Sequence, residues 1–400
     1  MVFAVGFVLF ALGITISIAL HECGHMWAAQ ATGMKVRRYF IGFGPKIFSF
    51  RRGETEYGLK ALPLGGFCDI AGMTALDELS PEELDRAMYR QATWKRLLVM
   101  SGGIMMNFLL GLVLIVILAV GWGLPSLDQP APTALGEMSC IRSELPGGIP
   151  QDCTGPGPAQ RDGLQRGDVV TKVNDVPVEE WRQLVAETQK QVGTIRYTVE
   201  RDGQTLVIPV TPDRVMRYPD DGGPGREISA IGVAAESYGL VQYNVLSAIP
   251  ASVAFTGDLA VETFRSLARM PAKVMDLWEA VTGGVRDPET PVSVYGASRI
   301  GGETAAAGLW QIFILLLASL NFFLGAFNVL PLLPLDGGHI AVVLYEKIRD
   351  MVRGLRRLPP GDPVDYLKLL PVTYVFVVLG GAYMLLTLTA DIVNPIELFP

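Results

Sequence analysis

The sequence predicts a polytopic α-helical membrane protein with about four transmembrane helices and a β-rich domain outside the membrane. Half of its 400 residues are hydrophobic and only 18% are charged, with a mean hydropathy of +0.34. Four uncharged runs reach the length of about 20 apolar residues that spans a bilayer, namely residues 1–20, 97–127, 304–335 and 371–390. The first run lacks a basic start and a small-residue cleavage site, so we expect a membrane span there rather than a signal peptide.

The placement of lysine and arginine predicts the orientation of these spans, because cytoplasmic loops carry the excess of basic residues. Eleven Lys and Arg residues lie in residues 35–96, and six lie in residues 340–370. Residues 123–308 instead carry sixteen basic against twenty-four acidic residues. We therefore expect the two basic segments in the cytoplasm, and the acidic domain and both termini outside. The net charge of −7 argues against nucleic-acid binding.

The pentapeptide HECGH, residues 21–25, follows directly on the first uncharged run. On a helix, His21 and His25 share one face at the spacing that lets both bind one zinc ion. Glu22 would then lie beside the metal as a general base for a water molecule. Ionisable residues are expensive at the end of a membrane span and usually serve a function. The motif therefore predicts a catalytic site with one Zn²⁺ per chain.

A catalytic zinc site needs a third protein ligand and one open position. Asp336 is the best candidate, because it is the acidic residue that directly follows the uncharged run 304–335. Pro331 and Pro334 break the helix before it, and the two glycines after it permit tight backbone geometry beside a metal. Asp336 could also cap the helix that starts at Gly337, and the two roles are compatible.

Together, HECGH and NVLPLLPLDGG, residues 328–338, resemble the paired signature of the site-2 protease family of intramembrane zinc metalloproteases. LPLGG, residues 62–66, is similar to part of that family's membrane re-entrant β-hairpin. Residues 101–107 resemble the GPxxN motif of its second span, although the proline is absent. The resemblance covers nearly the whole chain.

The outer region carries a further resemblance. Residues 163–174, which begin with Gly163 and Leu164, resemble the core of a bacterial PDZ domain. One such core together with four spans is similar to the layout of the actinobacterial branch of the family. The resemblance implies an extracytoplasmic, mostly β, PDZ domain that excludes bulky intact substrates or recognises a newly exposed C-terminus.

The family resemblance also implies a role for each matching residue. His21, His25 and Asp336 would bind zinc, and Glu22 would be the catalytic base. The asparagines and glycines of the other motifs would contact or position the substrate backbone, namely Asn107, Asn328, Gly65 and Gly66. For the two asparagines, a hydrogen bond between helices inside the membrane is the alternative.

Residues 46–50 and 56–62 have strand-like content around a turn at residues 51–54, which predicts a hairpin. A transmembrane substrate must unwind before cleavage, because helical hydrogen bonds cover its carbonyl groups, and its freed backbone groups then need new partners. A hairpin edge near residues 64–67 could bind the unwound substrate as an added strand. An ordinary cytoplasmic hairpin that covers the lipid surface is the alternative.

Three further segments have weaker signals. Residues 239–285 have apolar side chains at helical spacing, which favours amphipathic helices that pack on a neighbouring domain or the membrane surface over a substrate clamp. Residues 76–88 predict a cytoplasmic helix with Ser80 as its cap. Residues 220–225 predict a linker.

Two cysteines lie on the side that is expected to be oxidising, and two lie in the membrane or cytoplasm. We therefore expect a disulfide between the outer pair, Cys140 and Cys153. Two free thiols are the alternative.

The expected organisation is, in chain order, transmembrane helix 1 (1–34), re-entrant hairpin (35–75), cytoplasmic helix or linker (76–96), transmembrane helix 2 (97–122), PDZ domain (123–215), linker and amphipathic helices (216–303), transmembrane helix 3 (304–339), cytoplasmic segment (340–370), transmembrane helix 4 (371–392) and outer tail (393–400). With the resemblance, it implies an intramembrane zinc metalloendopeptidase in the cell membrane. Its substrates would be single-span proteins such as anti-sigma factors, first cut by an upstream site-1 protease. A non-proteolytic PDZ-bearing scaffold or a zinc carrier is the alternative, but a carrier would not require Glu22 between its ligands.

Overall fold

The computed structural model describes residues 1–74, 77–125, 133–145, 149–151, 153–218, 225–235, 240–284, 286–287 and 289–396. The chain divides into two units. The first, the membrane unit, comprises Met1–Gly121 and Asn244–Pro400, and the second comprises Trp122–Tyr243. We call the second the outer unit, after the side of the membrane that its charge predicts.

Ten α-helices lie in the described ranges. They are α1 Val2–Ala31, α2 Thr93–Gly121, α3 Pro158–Arg161, α4 Trp181–Lys190, α5 Val245–Arg269, α6 Val274–Val281, α7 Val294–Ala306, α8 Trp310–Val329, α9 Asp336–Leu355 and α10 Leu370–Val393. Among the described residues, α1, α2, α5, α8 and α10 are long and apolar enough to cross a membrane. Four of these correspond to the predicted spans. Helix α5, which was expected to be amphipathic and outside the membrane, also meets the criterion, with the lowest hydropathy of the five at 1.3.

The strands of the described ranges are short except for the first two. They are β1 Val36–Arg52, β2 Thr55–Ile70, β3 Leu124–Pro125, β4 Leu135–Met138, β5 Glu144–Leu145, β6 Ile149–Pro150, β7 Val169–Val173, β8 Val176–Pro177, β9 Ile195–Arg201, β10 Gln204–Val210, β11 Asp213–Arg217, β12 Arg226–Ala230, β13 Val233–Ala235 and β14 Leu240–Val241.

Strands β1 and β2 form the predicted hairpin, but they fold back on themselves. The turn pairs Arg52 with Thr55, and Gly53 has the positive φ of 63° that glycine accepts without strain. Residues 38–41 pair with residues 66–69 on one side and with residues 56–59 on the other. The two long strands therefore make a small sheet of four segments, in which residues 66–70 form one edge.

Small residues bring the helices of the membrane unit close together. A Cβ atom on Gly24 of α1 would collide with the Gly102 carbonyl oxygen of α2, and the reverse substitution would also collide. Near the start of α1, a Cβ atom on Gly6 would likewise collide with Ala305 of α7. Close approach of this kind is how membrane helices gain packing energy in the absence of a hydrophobic driving force.

The predicted cytoplasmic helix over residues 76–88 is wrong for the part that the structure describes, residues 77–88. Only two short 3₁₀ turns form, Leu84–Arg86 and Met88–Arg90. A tertiary contact explains the difference. The Glu83 carboxylate accepts a hydrogen bond from the Arg37 guanidinium of β1, with 2.8 Å between Nη2 and Oε2. That hydrogen bond holds the pKa of the Glu83 carboxyl well below its usual range. The ion pair fixes the segment in an irregular path against the sheet.

The outer unit has its own apolar core. Its largest sheet has the strand order β10-β9-β7-β8, and Tyr197, Leu135 and Leu164 lie in a cluster of buried residues packed on it. Asp168 is buried, which alone would raise its pKa, but hydrogen bonds from Arg201 and the Gln165 N–H lower it. Of the predicted linker, residues 220–224 lie outside the described residues.

The predicted disulfide is present: Cys140 and Cys153 are bonded, with their Cα atoms 5.8 Å apart. The other two cysteines, Cys23 and Cys68, are free thiols. The bond closes a loop just after β4 in the outer unit.

Candidate metal centre

Three potential ligands converge where α1 meets the start of α9. His21 and His25 lie one turn apart on α1, and their Nε2 atoms are 3.2 Å apart. Asp336 is the first residue of α9, and its Oδ2 lies 3.2 Å from each of these two nitrogens. In the part of the chain that the structure describes, this is the one group of three or more His, Cys, Asp or Glu side chains close enough to hold a metal ion.

The geometry of the three atoms fits zinc. With bonds of roughly 2.0–2.1 Å, neighbouring ligand atoms of a tetrahedral zinc site lie about 3.3 Å apart. The three separations of 3.2 Å therefore form one face of such a tetrahedron. The Oδ2 atom of Asp336 is buried and has no hydrogen-bond partner among the described residues. A cation between the three atoms would satisfy it, and the fourth corner would remain open for substrate or water.

The Nδ1 atoms of both imidazoles, which are not among the three candidate ligand atoms, have partners on α2. Nδ1 of His25 lies 2.8 Å from the Val99 carbonyl oxygen, so it donates and leaves Nε2 free to bind a metal. Nδ1 of His21 lies 3.1 Å from the Asn107 amide. Asn107 is only 1% exposed, and this contact places it beside a candidate ligand.

Gly103 lies directly against the two histidines. A Cβ atom there would collide with His25 Nε2 and would lie 2.7 Å from His21 Cε1. Only a residue without a side chain allows the backbone of α2 to approach the candidate ligands so closely. This contact was not predicted from the sequence, although the Gly102-Gly103 pair inside an apolar run is a signal of close helix approach.

Glu22 projects towards the edge segment of the sheet. Its Cγ would lie 3.1 Å from a Cβ added to Gly66. Gly65, with φ of 150°, approaches the Phe43 ring so closely that an added Cβ would collide with it. Gly66 thus lies where the sheet meets the metal centre, whereas Gly65 packs within the sheet.

Asn328, a candidate from the sequence, and the nearby His339 have other partners. The Asn328 amide donates to the Leu324 carbonyl oxygen of its own helix at 3.0 Å, which leaves its side-chain oxygen available. His339 Nδ1 lies 3.3 Å from the Tyr366 hydroxyl, and the two rings are stacked. The structure thus links His339 to the segment that follows α9.

The PDZ-like residues lie within the outer unit. Gly163 adopts a φ of 98° that favours glycine, and its carbonyl oxygen accepts from Arg201. Leu164 is 3% exposed within the apolar core. Both residues therefore support the fold of the outer unit.

Comparison with known proteins places this site in a family. Residues 9–357 match the model of peptidase family M50. The chain is 55% identical to the zinc metalloprotease Rip1 of Mycobacterium tuberculosis over 403 residues, with 100% of both chains covered. It is 53% identical to Rip1 of Mycolicibacterium smegmatis over 406 residues, again with 100% of both covered. It is also 25% identical to the regulator of sigma-W protease RasP of Bacillus subtilis over 457 residues, covering 95% of each. The chain belongs to peptidase family M50, the site-2 protease family, and is a multi-pass membrane zinc metallopeptidase.

Proposed function

We propose that this metallopeptidase cleaves single-span membrane proteins within or near their transmembrane segments. One observation carries the proposal: an edge strand reaches the metal centre beside Glu22, at the end of a long apolar helix. A soluble peptidase would not carry this motif on a 30-residue helix apolar enough to cross a membrane.

We propose that His21, His25 and Asp336 hold the zinc ion and that Glu22 is the general base. Bound zinc would polarise the scissile carbonyl and acidify a water molecule. Glu22 would take a proton from that water and then deliver it to the leaving amine. Its place between the ligands on α1 and the edge segment supports this role, because the scissile bond must lie within reach of both.

We propose a positioning role for Asn107 in place of the substrate contact that the resemblance implies. Its Oδ1 atom is buried and has no partner within the described part of the chain, while its Nδ2 lies near His21 Nδ1. Turning the amide by 180° exchanges these atoms, and Oδ1 then accepts the Nδ1–H of His21. That arrangement pairs Oδ1 with the imidazole N–H, leaves the amide nitrogen at the position without a partner, and directs the Nε2 lone pair of His21 towards the metal.

We propose that the unwound substrate pairs with the edge segment, residues 66–70. This segment pairs with β1 on one side, so its other side is the one that an added strand can use. Gly66 lies beside Glu22, which brings the backbone of an added strand to the catalytic residues. When the substrate helix unwinds, its backbone N–H and C=O groups lose their hydrogen-bond partners. Pairing as an added strand supplies new ones.

We propose four membrane spans, with the metal centre near the cytoplasmic side and both termini outside. Exposed Trp27 and Trp94 lie at the ends of α1 and α2 nearest the metal centre, as expected for residues at an interface. Helix α5 follows the outer unit, and α6 after it binds the far end of α10, where Asn394 donates to the Ala280 carbonyl oxygen. Both ends of α5 then lie outside, so it would rest along the outer surface and not cross.

The outer unit would act as a PDZ domain that selects substrates by size or by a C-terminus. Its four-stranded sheet and the core around Leu164 support this assignment. It also has a cleft of about 520 Å³ whose lining includes Trp181, Arg142 and Arg217. We propose anti-sigma factors as substrates, after an upstream site-1 protease has removed their outer portion.

The test compares the purified protein with its Glu22→Gln form on a panel of single-span substrates. We expect the variant to keep its zinc and to lose at least about 100-fold in cleavage, the size of a general-base contribution. Zinc content measured on the same samples separates lost chemistry from lost metal. Cleavage at the original rate would exclude Glu22 as the base, and a scaffold or carrier would show no cleavage in either form.

A further inference from the structure

On a soluble protein, a surface helix packs its apolar face on the core and exposes its charged face. Helix α9 does the reverse. Its charged face is the one that packs on the protein. Glu346 is bound by Arg96 of α2 at 2.7 Å, Arg349 donates to the Asp362 carbonyl oxygen, and Arg353 donates to the Pro359 carbonyl oxygen. These contacts use the polar groups of that face within the membrane unit.

The apolar face of α9 points outward. At 100° per residue its members span roughly 120° of the helix surface, and each is exposed, namely Leu344, Tyr345, Ile348, Met351, Val352 and Leu355. Ile348 is 55% exposed and Leu355 is 82% exposed. A continuous apolar stripe of this size on a protein surface indicates an interaction site.

Basic side chains flank the stripe. By the same helical spacing, Lys347 lies along one border and Arg356 along the other. Among the described residues, no carboxylate lies within salt-bridge distance of either, and Arg356 is exposed. An apolar face with cationic borders matches the interfacial region of a bilayer, where the apolar side chains enter the acyl boundary and the cations reach anionic headgroups.

We propose that α9 lies on the cytoplasmic surface of the membrane and binds anionic lipid headgroups through Lys347 and Arg356. Continuity with the membrane spans supports this partner, because α9 is joined to α8 by residues 330–335 and to α10 by residues 356–369. The chain therefore enters and leaves this helix at the bilayer. Basic residues near an anionic membrane surface are attracted to its headgroups.

The proposal links lipid binding to the metal centre. Asp336 is the first residue of α9, so the orientation of this helix on the membrane sets the position of the third candidate ligand. The contact of α9 with lipid does not depend on which proteins the enzyme cuts, and it can be measured without following cleavage.

The test measures the depth of a fluorescent probe on two neighbouring positions of α9 in reconstituted full-length protein. Leu355→Cys places the probe on the stripe, and Gly354→Cys is the matched control, because Gly354 is exposed and nothing lies within 4 Å of an added Cβ. Both carry Cys23→Ala and Cys68→Ala, which leave only the introduced thiol free, and zinc content checks that the background is intact. Vesicles contain phosphatidylcholine alone or with about one third phosphatidylglycerol.

We expect lipid-borne quenchers to quench the probe at position 355 at least twofold more than the probe at position 354. Adding phosphatidylglycerol should increase the difference, and Lys347→Glu with Arg356→Glu should abolish that increase. Equal, weak quenching at both positions would overturn the proposal. A second measurement uses lipid discs that hold one copy of the protein or several. If the probe at position 355 is shielded only in discs with two or more copies, a second copy of the chain covers the stripe and the proposal is overturned.

Discussion

The metal centre and the outer unit hold their residues in place by opposite means. At the metal centre, glycines allow the backbone of one helix to approach its neighbours so closely that a Cβ atom would collide, as at Gly103 against His25. In the outer unit, large apolar side chains such as Tyr197 fill a core, and a disulfide closes a loop. The contrast teaches that function in the membrane unit depends on backbone distance, whereas stability in the outer unit depends on buried volume and a cross-link.

One added methyl group at the metal centre should have the largest effect. We expect Gly103→Ala to lose zinc binding, because the new Cβ would collide with His25 Nε2 and crowd His21. Gly121→Ala, at the other end of α2, is the control, since nothing lies within 4 Å of its Cβ position. Elemental analysis of both purified variants provides the measurement, and full zinc content in Gly103→Ala would refute the close approach.

Changes at Asn107 should have the next largest effect. Removing a side chain that orients a metal-binding histidine lowers metal affinity about 10–100-fold, so we expect that loss for Asn107→Ala. Asn107→Asp should retain tight binding, because a carboxylate also accepts the His21 Nδ1–H. Zinc competition with a chelator measures both affinities.

The control for Asn107 is Asn321→Ala. Asn321 is also buried between helices, but its amide donates to Ser17 at 3.0 Å and not to a candidate ligand. Its loss should leave zinc affinity unchanged. If Asn107→Asp bound zinc as weakly as Asn107→Ala, the amide would be a donor to His21, and the proposed orientation would fail.

The smallest effect should come from the outer unit. Replacing Cys140 and Cys153 with serine opens a loop and should lower the free energy of unfolding of this unit by roughly 3 kcal/mol on the chain-entropy estimate. Zinc content should not change, because neither cysteine is close to the metal centre in sequence or belongs to its unit. Denaturant unfolding followed in the full chain provides the measurement. A disulfide-free variant of unchanged stability would show that the core alone holds the unit.

Sequence patterns predicted the features that depend on neighbours in the chain. The HECGH spacing, the apolar runs and the hairpin turn near Gly53 are local signals, and the structure has each of them. Asp336 was found because a charge after a long apolar run is costly unless it has a role.

Features that depend on tertiary contacts were not predictable in this way. A capping pattern around Ser80 indicated a helix, but Arg37, more than forty residues earlier, binds Glu83 and keeps the segment irregular. The contact of Gly103 with the histidines and the outward-facing apolar stripe of α9 also depend on which helices pack together, which the sequence does not give. Helical periodicity reveals an apolar face but not whether protein or lipid covers it.

Zinc stoichiometry in Asp336→Ala tests the central claim most directly. The claim is that His21, His25 and Asp336 together form the zinc site, because their ligand atoms are 3.2 Å apart. Elemental analysis should find one zinc per chain in the unaltered protein and in the control Asp85→Ala, whose side chain is 99% exposed. We predict less than about one tenth of that amount in Asp336→Ala, since two histidines alone leave the site one ligand short. Tightly bound, stoichiometric zinc in Asp336→Ala would contradict the account.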